Sequence, residues 1–128
     1  MSEENIEVVR RMHEAYFQGD FENAMSACAE DVVWQDQHGT YHGHEGVAQS
    51  IARWTGAWEG LHQEVDDILE TDGDDVVVLL RQSARGKGSG ASVESVVGWI
   101  YTVTGGKISR GRGFTNADEA LEAAGLSE

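Results

Sequence analysis

Apolar residues recur at helical spacing in the first part of the chain. Over residues 6–17 they fall three or four positions apart, which is the period of one face of an α-helix. The positions that follow this period are Ile6, Val9, Met12 or His13, Tyr16 and Phe17. Gly19 then stands as a typical helix end, and Asp20 is placed to cap a second, short helix that closes at Asp31. The pattern therefore predicts two N-terminal helices.

At Val32 the helical period ends, and a run of β-branched and aromatic residues begins. It predicts a strand over residues 32–38 whose end is polar, followed by a glycine-rich loop over residues 39–46. A third helix is expected next, and Gly60 ends it. The apolar positions of this helix are Val47, Ile51, Trp54 and Trp58.

The second half of the chain reads as strands joined by turns. Its apolar runs are separated by short stretches rich in glycine and aspartate, as in β-hairpins. The predicted strands cover residues 61–71, 76–82, 92–103 and 108–114. A short terminal helix begins at Asn116 and stops at Gly125. This order of elements predicts an α+β fold with the helices packed on one side of an antiparallel sheet.

Composition narrows the class of protein. The 128 residues suffice for a single domain, taken as residues 1–128, and a hydrophobic fraction of 40% is too high for a disordered acidic chain. A net charge of −14 argues against a nucleic-acid partner and against an anionic membrane surface, since both require clustered Lys and Arg. Cys28 is the single cysteine, so no internal disulfide is expected. No apolar run would span a membrane and the N-terminus has no apolar signal-peptide core, so a cytoplasmic location is expected.

Several segments, taken in order, resemble one family. They are ENIEVVRRMHEAYFQGD, AEDVVWQD, GTYHGHEGV, GGKI and the terminal EALEAAGL. Spread from Glu4 to Leu126, they resemble SnoaL-like proteins of the nuclear transport factor 2-like superfamily. The resemblance implies a cone-shaped α+β barrel, in which N-terminal helices pack on a strongly curved, mostly antiparallel sheet that encloses one pocket. It also implies a homodimer formed through the outer sheet face. Known members include ketosteroid isomerase, polyketide cyclases and limonene-type epoxide hydrolases.

Asp36 is the first candidate for chemistry in such a pocket. It follows Trp34 by two residues and therefore shares a strand face with it. The resemblance to ketosteroid isomerase, carried by Gly19-Asp20 and Glu30-Asp31, aligns Asp36 with that enzyme's general-base aspartate. Burial makes a carboxylate a stronger base, able to take a proton from a carbon next to a carbonyl. The alternative is a strand-end carboxylate that caps the following loop.

Two polar residues are candidate partners of Asp36. His38 shares its strand face and is predicted to be an acid–base or hydrogen-bonding partner. Tyr16 lies one helical turn beyond Met12, which occupies the position of the isomerase's oxyanion-hole tyrosine. The position of that enzyme's oxyanion-hole aspartate falls on Trp99, so the resemblance does not extend to a true ketosteroid isomerase.

A limonene-type epoxide hydrolase would require an Asp–Arg–Asp constellation that activates water. Arg81 is the candidate arginine, with Asp36 and Glu94 as carboxylate partners. The isomerase register, however, places Gln82 rather than Arg81 on the pocket face. Gln82 therefore becomes a candidate ligand-binding residue.

Aromatic residues provide a candidate wall for a flat or bulky apolar ligand. The chain contains four tryptophans, and the cone would aim several side chains inward. The candidate lining residues are Met12, Trp34, Trp54, Trp99 and Tyr101. Ordinary core packing is the alternative, and Trp58 is expected to pack near a helix end.

Two glycines depart from the family pattern in the last strand. Gly111 and Gly113 stand where the family has large apolar residues. Strand parity places both on one face, and the resemblance to ketosteroid isomerase implies that this face is the concave one. The missing side chains leave room for an aromatic neighbour or for a larger ligand, or else mark a bulge. Arg110 and Arg112 would then point outward, towards solvent or a dimer partner.

Two features suggest a metal site, and each has a simpler interpretation. His38, His42 and His44 lie close together in the sequence, but the GHEG around His44 is typical of a turn that leads into a helix. Residues 59–75 contain eight carboxylates and no Lys or Arg, but their spacing fits no EF-hand loop. A solvated acidic edge is predicted there, and no metal or cofactor is expected.

Three functions are compatible with these residues. The first is a cofactor-free isomerase or cyclase that acts on an apolar carbonyl compound with Asp36 as general base. The second is a non-catalytic module that binds a hydrophobic small molecule against Trp34, Trp54 and Trp99. The third is an assembly module whose pocket is filled by its own side chains.

Overall fold

Across the residues that the structure describes, the fold consists of four helices and six strands. The computed structural model describes residues 2–56, 58–71 and 73–126, and within these ranges every side chain except those of Ser2 and Trp54. The helices are α1 (Ser2–Phe17), α2 (Phe21–Ser26), α3 (Gly43–Thr55) and α4 (Ala117–Ala123). The strands are β1 (Cys28–Asp36), β2 (Gly39–His42), β3 (Trp58–Glu70), β4 (Asp75–Gly86), β5 (Ser92–Thr104) and β6 (Lys107–Phe114). None of the helices described is long and apolar enough to cross a bilayer.

The strands form one open sheet in the order β2-β1-β6-β5-β4-β3. Neighbouring strands run antiparallel except β1 and β6, which are parallel. Residues on one face of the sheet pack with α1 and α2 into the main core, which contains Val9, Met12, Val32, Val78 and Tyr101. The mixed α+β fold predicted from the order of elements is confirmed.

The boundary between α2 and β1 differs from the prediction. The side chain of Asp20 caps α2 as expected, accepting from the backbone N–H of Asn23 at 3.1 Å. The helix nevertheless ends at Ser26, and β1 begins at Cys28 rather than at Val32. Pairing with β6 decides this boundary, because Cys28 lies opposite Ile108 in the sheet. A contact between distant parts of the chain overrides the local helical pattern.

Two further elements differ from the sequence prediction. Residues 39–42, expected in a loop, form β2 and pair with β1, where Tyr41 lies opposite Trp34. Gly43 has a φ of +74°, which only glycine adopts at little cost, and α3 begins there. Trp58, expected in α3, lies in β3 opposite Gly86. In both segments the backbone groups are paired with a neighbouring strand, a contact between distant residues that the local sequence pattern does not show.

Helix α4 packs on the face of the sheet opposite to the main core. Gly98 alternates with the inward Trp99 along β5 and therefore points outward, next to the side chain of Leu79. Ala120 of α4 lies directly over Gly98, so closely that a Cβ at this glycine would clash with the Ala120 methyl group. The prediction that all helices share one side of the sheet is therefore wrong for α4.

Candidate functional site

Two adjacent cavities lie between the inner face of the sheet and the helices. The inner chamber has a volume of about 50 Å³, and the outer cavity has a volume of about 210 Å³. Ser50, Gln63 and Trp99 line both of them. The inner chamber is further lined by Met12, His13, Tyr16, Trp34, Leu80 and Tyr101. The outer cavity is further lined by Asp36, His38, Trp58, Gln82, Val97 and Gly113.

Trp34, Trp99 and Tyr101 form a continuous aromatic wall. The ring centroids of Trp34 and Trp99 are 4.8 Å apart, and the ring of Tyr101 stacks on Trp99 with centroids 5.9 Å apart. A Cβ at Gly111 would lie 2.7 Å from ring carbons of Trp34, and one at Gly113 would lie 2.6 Å from the ring of Trp99. The space that the two glycines leave is therefore filled by indole rings, which lie flat against β6.

The carboxylate of Asp36 lies at the end of β1, on the wall of the outer cavity. Its Oδ1 accepts hydrogen bonds from the backbone N–H of His38 at 2.8 Å and of Gly39 at 3.2 Å. Its Oδ2 accepts a hydrogen bond from the hydroxyl of Ser50 at 2.6 Å. Asp36 thus caps the turn between β1 and β2 and faces the cavity at the same time. These three donors hold the carboxyl group of Asp36 in one orientation.

Ser50 connects the two cavities to Asp36, and the sequence interpretation missed it. Ser50 is buried in α3 and lines both cavities. Its spacing from Val47 and Ile51 places it on the inward face of the helix, which was the available signal. A serine on an apolar helix face is easily interpreted as a small core residue with no role in a binding site.

The imidazole of His38 does not contact Asp36. His38 is exposed in the turn after β1, where its side chain lines the outer cavity, and only its backbone N–H binds the carboxylate. Strand parity does not extend to His38, because β1 ends at Asp36 and the alternation of side chains stops where the turn begins. A role of the imidazole in the outer cavity stays a prediction.

The polar groups of the inner chamber come mainly from α1 and β5. Tyr16 is half-buried and Tyr101 is buried, and desolvation raises the pKa of both phenols. Burial lowers the pKa of His13 to about 4, because a buried imidazolium loses its hydration. All three groups are therefore uncharged near neutral pH. His13 entered the sequence pattern only as an alternative to Met12, although a lone polar residue on an apolar helix face was the signal.

Gln82 and Arg81 point to opposite faces of β4. Gln82 lines the outer cavity, and its side-chain oxygen accepts a hydrogen bond from the amide of Gln63 at 2.9 Å. Arg81 is exposed and pairs with Asp66 at 3.2 Å. The arginine that an epoxide hydrolase constellation needs is thus outside the two cavities described.

The remaining candidates are placed as follows. Trp58 lines the outer cavity from the start of β3, and the side chain of Trp54 lies outside the described residues. His42 is exposed on β2, whereas the Nε2 of His44 is 3.2 Å from the carbonyl oxygen of Cys28 and ties α3 to β1. Within the described part of the chain, no three His, Cys, Asp or Glu side chains are grouped so that they could hold a metal ion.

The structure is thus a mixed α+β fold in which helices cover one face of an open six-stranded sheet around aromatic cavities. The chain belongs to the family of the SnoaL-like domain, whose sequence profile matches residues 9–111. No curated protein matches the sequence.

Solved structures with the same fold cover nearly the whole chain. A nuclear transport factor 2-like protein from Burkholderia thailandensis is 23% identical with a TM-score of 0.79, covering 96% of this chain and 98% of its own. A protein from Jannaschia sp., named as a SnoaL-like polyketide cyclase, is 20% identical with a TM-score of 0.78, covering 99% and 94%. TerC, co-crystallised with polyporic acid, is 22% identical with a TM-score of 0.77, covering 97% and 99%. At these identities the similarity shows the fold alone.

Proposed function

We propose that the protein is a cofactor-free isomerase or cyclase for a flat, apolar carbonyl compound, with Asp36 as general base. One observation carries the proposal. The oriented carboxylate of Asp36 shares a cavity wall with Trp99, so a ring stacked on the indole presents its edge to a base.

The proposed reaction begins with removal of a proton from a carbon next to the carbonyl. The Asp36 carboxylate takes the proton, and the electron pair of the broken C–H bond forms the enolate, whose charge lies on the carbonyl oxygen. In an isomerase, protonated Asp36 then returns the proton to another carbon of the enolate. In a cyclase, the enolate carbon attacks a second carbonyl of the same molecule, and Asp36 returns the proton to the new alkoxide.

The lining of the cavities supports this substrate class. Indole and phenol rings bind flat apolar rings by stacking, and Ser50 and Gln63 provide polar groups where the two cavities meet. The names of two proteins of the same fold are consistent with this substrate class. One was co-crystallised with polyporic acid, and another is named as a polyketide cyclase.

Exchange of carbon-bound protons tests the proposal without knowledge of the product. A panel of flat ketones, with 2-tetralone as the first probe, is incubated with protein in D₂O, and deuterium uptake is followed by NMR and mass spectrometry. The protein should accelerate exchange next to the carbonyl, and Asp36→Asn should reduce the acceleration by about 100-fold or more. Quenching of tryptophan fluorescence measures binding separately.

Asp31→Asn is the matched control, since Asp31 lies exposed on the same strand. This variant should exchange protons at the wild-type rate. If wild-type protein and Asp36→Asn bind a ketone equally and exchange it equally, Asp36 is not a general base.

A non-catalytic binding module is the second candidate. It is favoured by the hydrogen bonds that already engage both oxygens of Asp36, because a carboxylate occupied in capping a turn and binding Ser50 has a structural role of its own. This function predicts quenching of tryptophan fluorescence by flat ligands together with exchange at the rate of buffer alone.

A further inference from the structure

His13 is buried in α1 without a hydrogen-bond partner. Its exposed fraction is 4%, and neither ring nitrogen meets a donor or an acceptor among the described residues. A neutral imidazole carries one N–H donor and one acceptor nitrogen, and burying both unpaired lowers stability. A leucine would fill this position on the apolar face of α1 without that loss. The imidazole is therefore better explained by a group that it binds than by packing.

The aromatic wall leads to this imidazole. His13 lines the inner chamber, and its ring packs edge-on against Tyr101 with centroids 5.5 Å apart. The ring of Tyr101 in turn lies 5.8 Å from Trp34 and 5.9 Å from Trp99, centroid to centroid. A flat ligand in the outer cavity that contacts Trp99, which lines both cavities, would extend its rim towards His13.

The chamber side of His13 is uncharged. The described lining of the inner chamber includes no Lys, Arg, Asp or Glu, and the imidazole and phenol groups there are neutral near pH 7. Charged side chains lie in a surface groove between α1 and β3, which His13 also lines, and they are Arg10, Glu14 and Glu64. An ionic ligand group in the chamber would lose its hydration without gaining a counter-ion. An uncharged hydrogen-bond donor fits the chamber better.

We propose that His13 binds the uncharged hydroxyl group on the rim of a flat aromatic ligand. The unprotonated ring nitrogen accepts the hydrogen bond from this hydroxyl, and Trp99, which lines both cavities, contacts the ring that carries it. A chamber of about 50 Å³ admits a substituted rim and not a whole ring system, so the body of the ligand occupies the outer cavity. This inference rests on the proposed binding of an aromatic ligand and does not require catalysis by Asp36.

Three probes of similar shape test the assignment: 2-naphthol, 2-methylnaphthalene and 2-naphthoate. Calorimetry on wild-type protein should show 2-naphthol binding about tenfold more tightly than 2-methylnaphthalene, as one buried hydrogen bond predicts. The anion 2-naphthoate should bind most weakly. His13→Leu should bind the two uncharged probes within about twofold of each other, whereas His13→Gln, which keeps a donor and an acceptor, should retain part of the preference.

Two further readouts separate ligand binding from a structural role. Without ligand, His13→Leu should raise the melting temperature, because it removes buried unpaired nitrogens. The ¹⁵N resonance of one His13 ring nitrogen should shift when 2-naphthol is added, and should not shift with 2-methylnaphthalene.

Equal binding of 2-naphthol and 2-methylnaphthalene by wild-type protein would overturn the assignment. So would a lower melting temperature of His13→Leu with an unchanged preference, since the imidazole would then serve packing or an internal water only. No binding of any probe would overturn this assignment and the proposed ligand class together. A hydroxyl preference without proton exchange on 2-tetralone would refute only catalysis by Asp36.

Discussion

At the residue scale, the shape of the cavity wall depends on pairs of glycine and tryptophan. Gly111 lies under the ring of Trp34, and Gly113 lies under the ring of Trp99. In both pairs the missing side chain on β6 allows an indole from a neighbouring strand to lie against the sheet. Any side chain on these glycines would push the ring towards the cavity, so the two positions control its depth.

Gly111→Ala should lower the free energy of unfolding by about 1–3 kcal/mol, because the new methyl group overlaps the ring of Trp34 in a packed core. Urea denaturation of wild type and variant measures the change. Gly73→Ala is the control, since nothing lies within 4 Å of its added Cβ, and it should change stability by less than about 0.5 kcal/mol. Combining Gly111→Ala with Trp34→Phe should cost less than the sum of the single changes. Strict additivity would contradict the proposed overlap.

At the scale of helices and strands, two packing arrangements determine where the candidate site lies. The parallel pairing of β1 with β6 brings Asp36 beside the strand that carries the two glycines. Helix α4 docks on the opposite face, where Gly98 allows Ala120 to approach the sheet. The cavity face is thereby left to α1, α2 and α3.

Gly98→Ala should loosen α4, because its new Cβ would overlap the methyl group of Ala120. The expected result is a lower melting temperature and faster proteolysis at the C-terminus, while binding of flat ligands at the opposite face is retained. Adding Ala120→Gly should restore part of the stability that Gly98→Ala loses, although glycine itself costs about 1 kcal/mol in a helix. If Ala120→Gly instead adds its full cost to Gly98→Ala, the two residues are not in contact.

At the scale of the whole molecule, the net charge of −14 affects the stability and solubility of the protein rather than the chemistry of the candidate site. Several of the carboxylates lie exposed on β3, an edge strand of the sheet, where Arg81 forms an ion pair with Asp66. Charges on an edge strand oppose pairing with another sheet, which protects the protein from aggregation. The same charges repel one another in the folded state.

Raising the NaCl concentration from about 0.01 M to about 1 M should raise the melting temperature, because it shortens the range of this repulsion from about 30 Å to about 3 Å. The double variant Asp67→Asn/Glu70→Gln, in which two exposed carboxylates of β3 are neutralised, should be more stable than wild type at low salt and should respond less to added salt. Equal salt responses would show that these charges do not repel one another measurably.

The sequence by itself determined the elements whose pattern is local. The helical period of α1, the apolar runs of β4 and β5 and the glycine turns between strands are properties of neighbouring residues, so they could be predicted. Strand parity likewise placed Asp36 on the face of Trp34, and Gly113 on the face of Gly111. The segments that resemble SnoaL-like proteins indicated the family.

The tertiary structure alone decided the features that depend on distant residues. The start of β1 at Cys28 requires pairing with Ile108, and the position of α4 requires contact with Gly98. Neither the hydrogen bond from Ser50 to Asp36 nor the burial of His13 could be predicted from the sequence. Periodicity indicates which face of an element is buried, but not which residues that face contacts. A side chain's chemistry is set by what surrounds it, and the surroundings of Asp36 and His13 come from segments far apart in the chain.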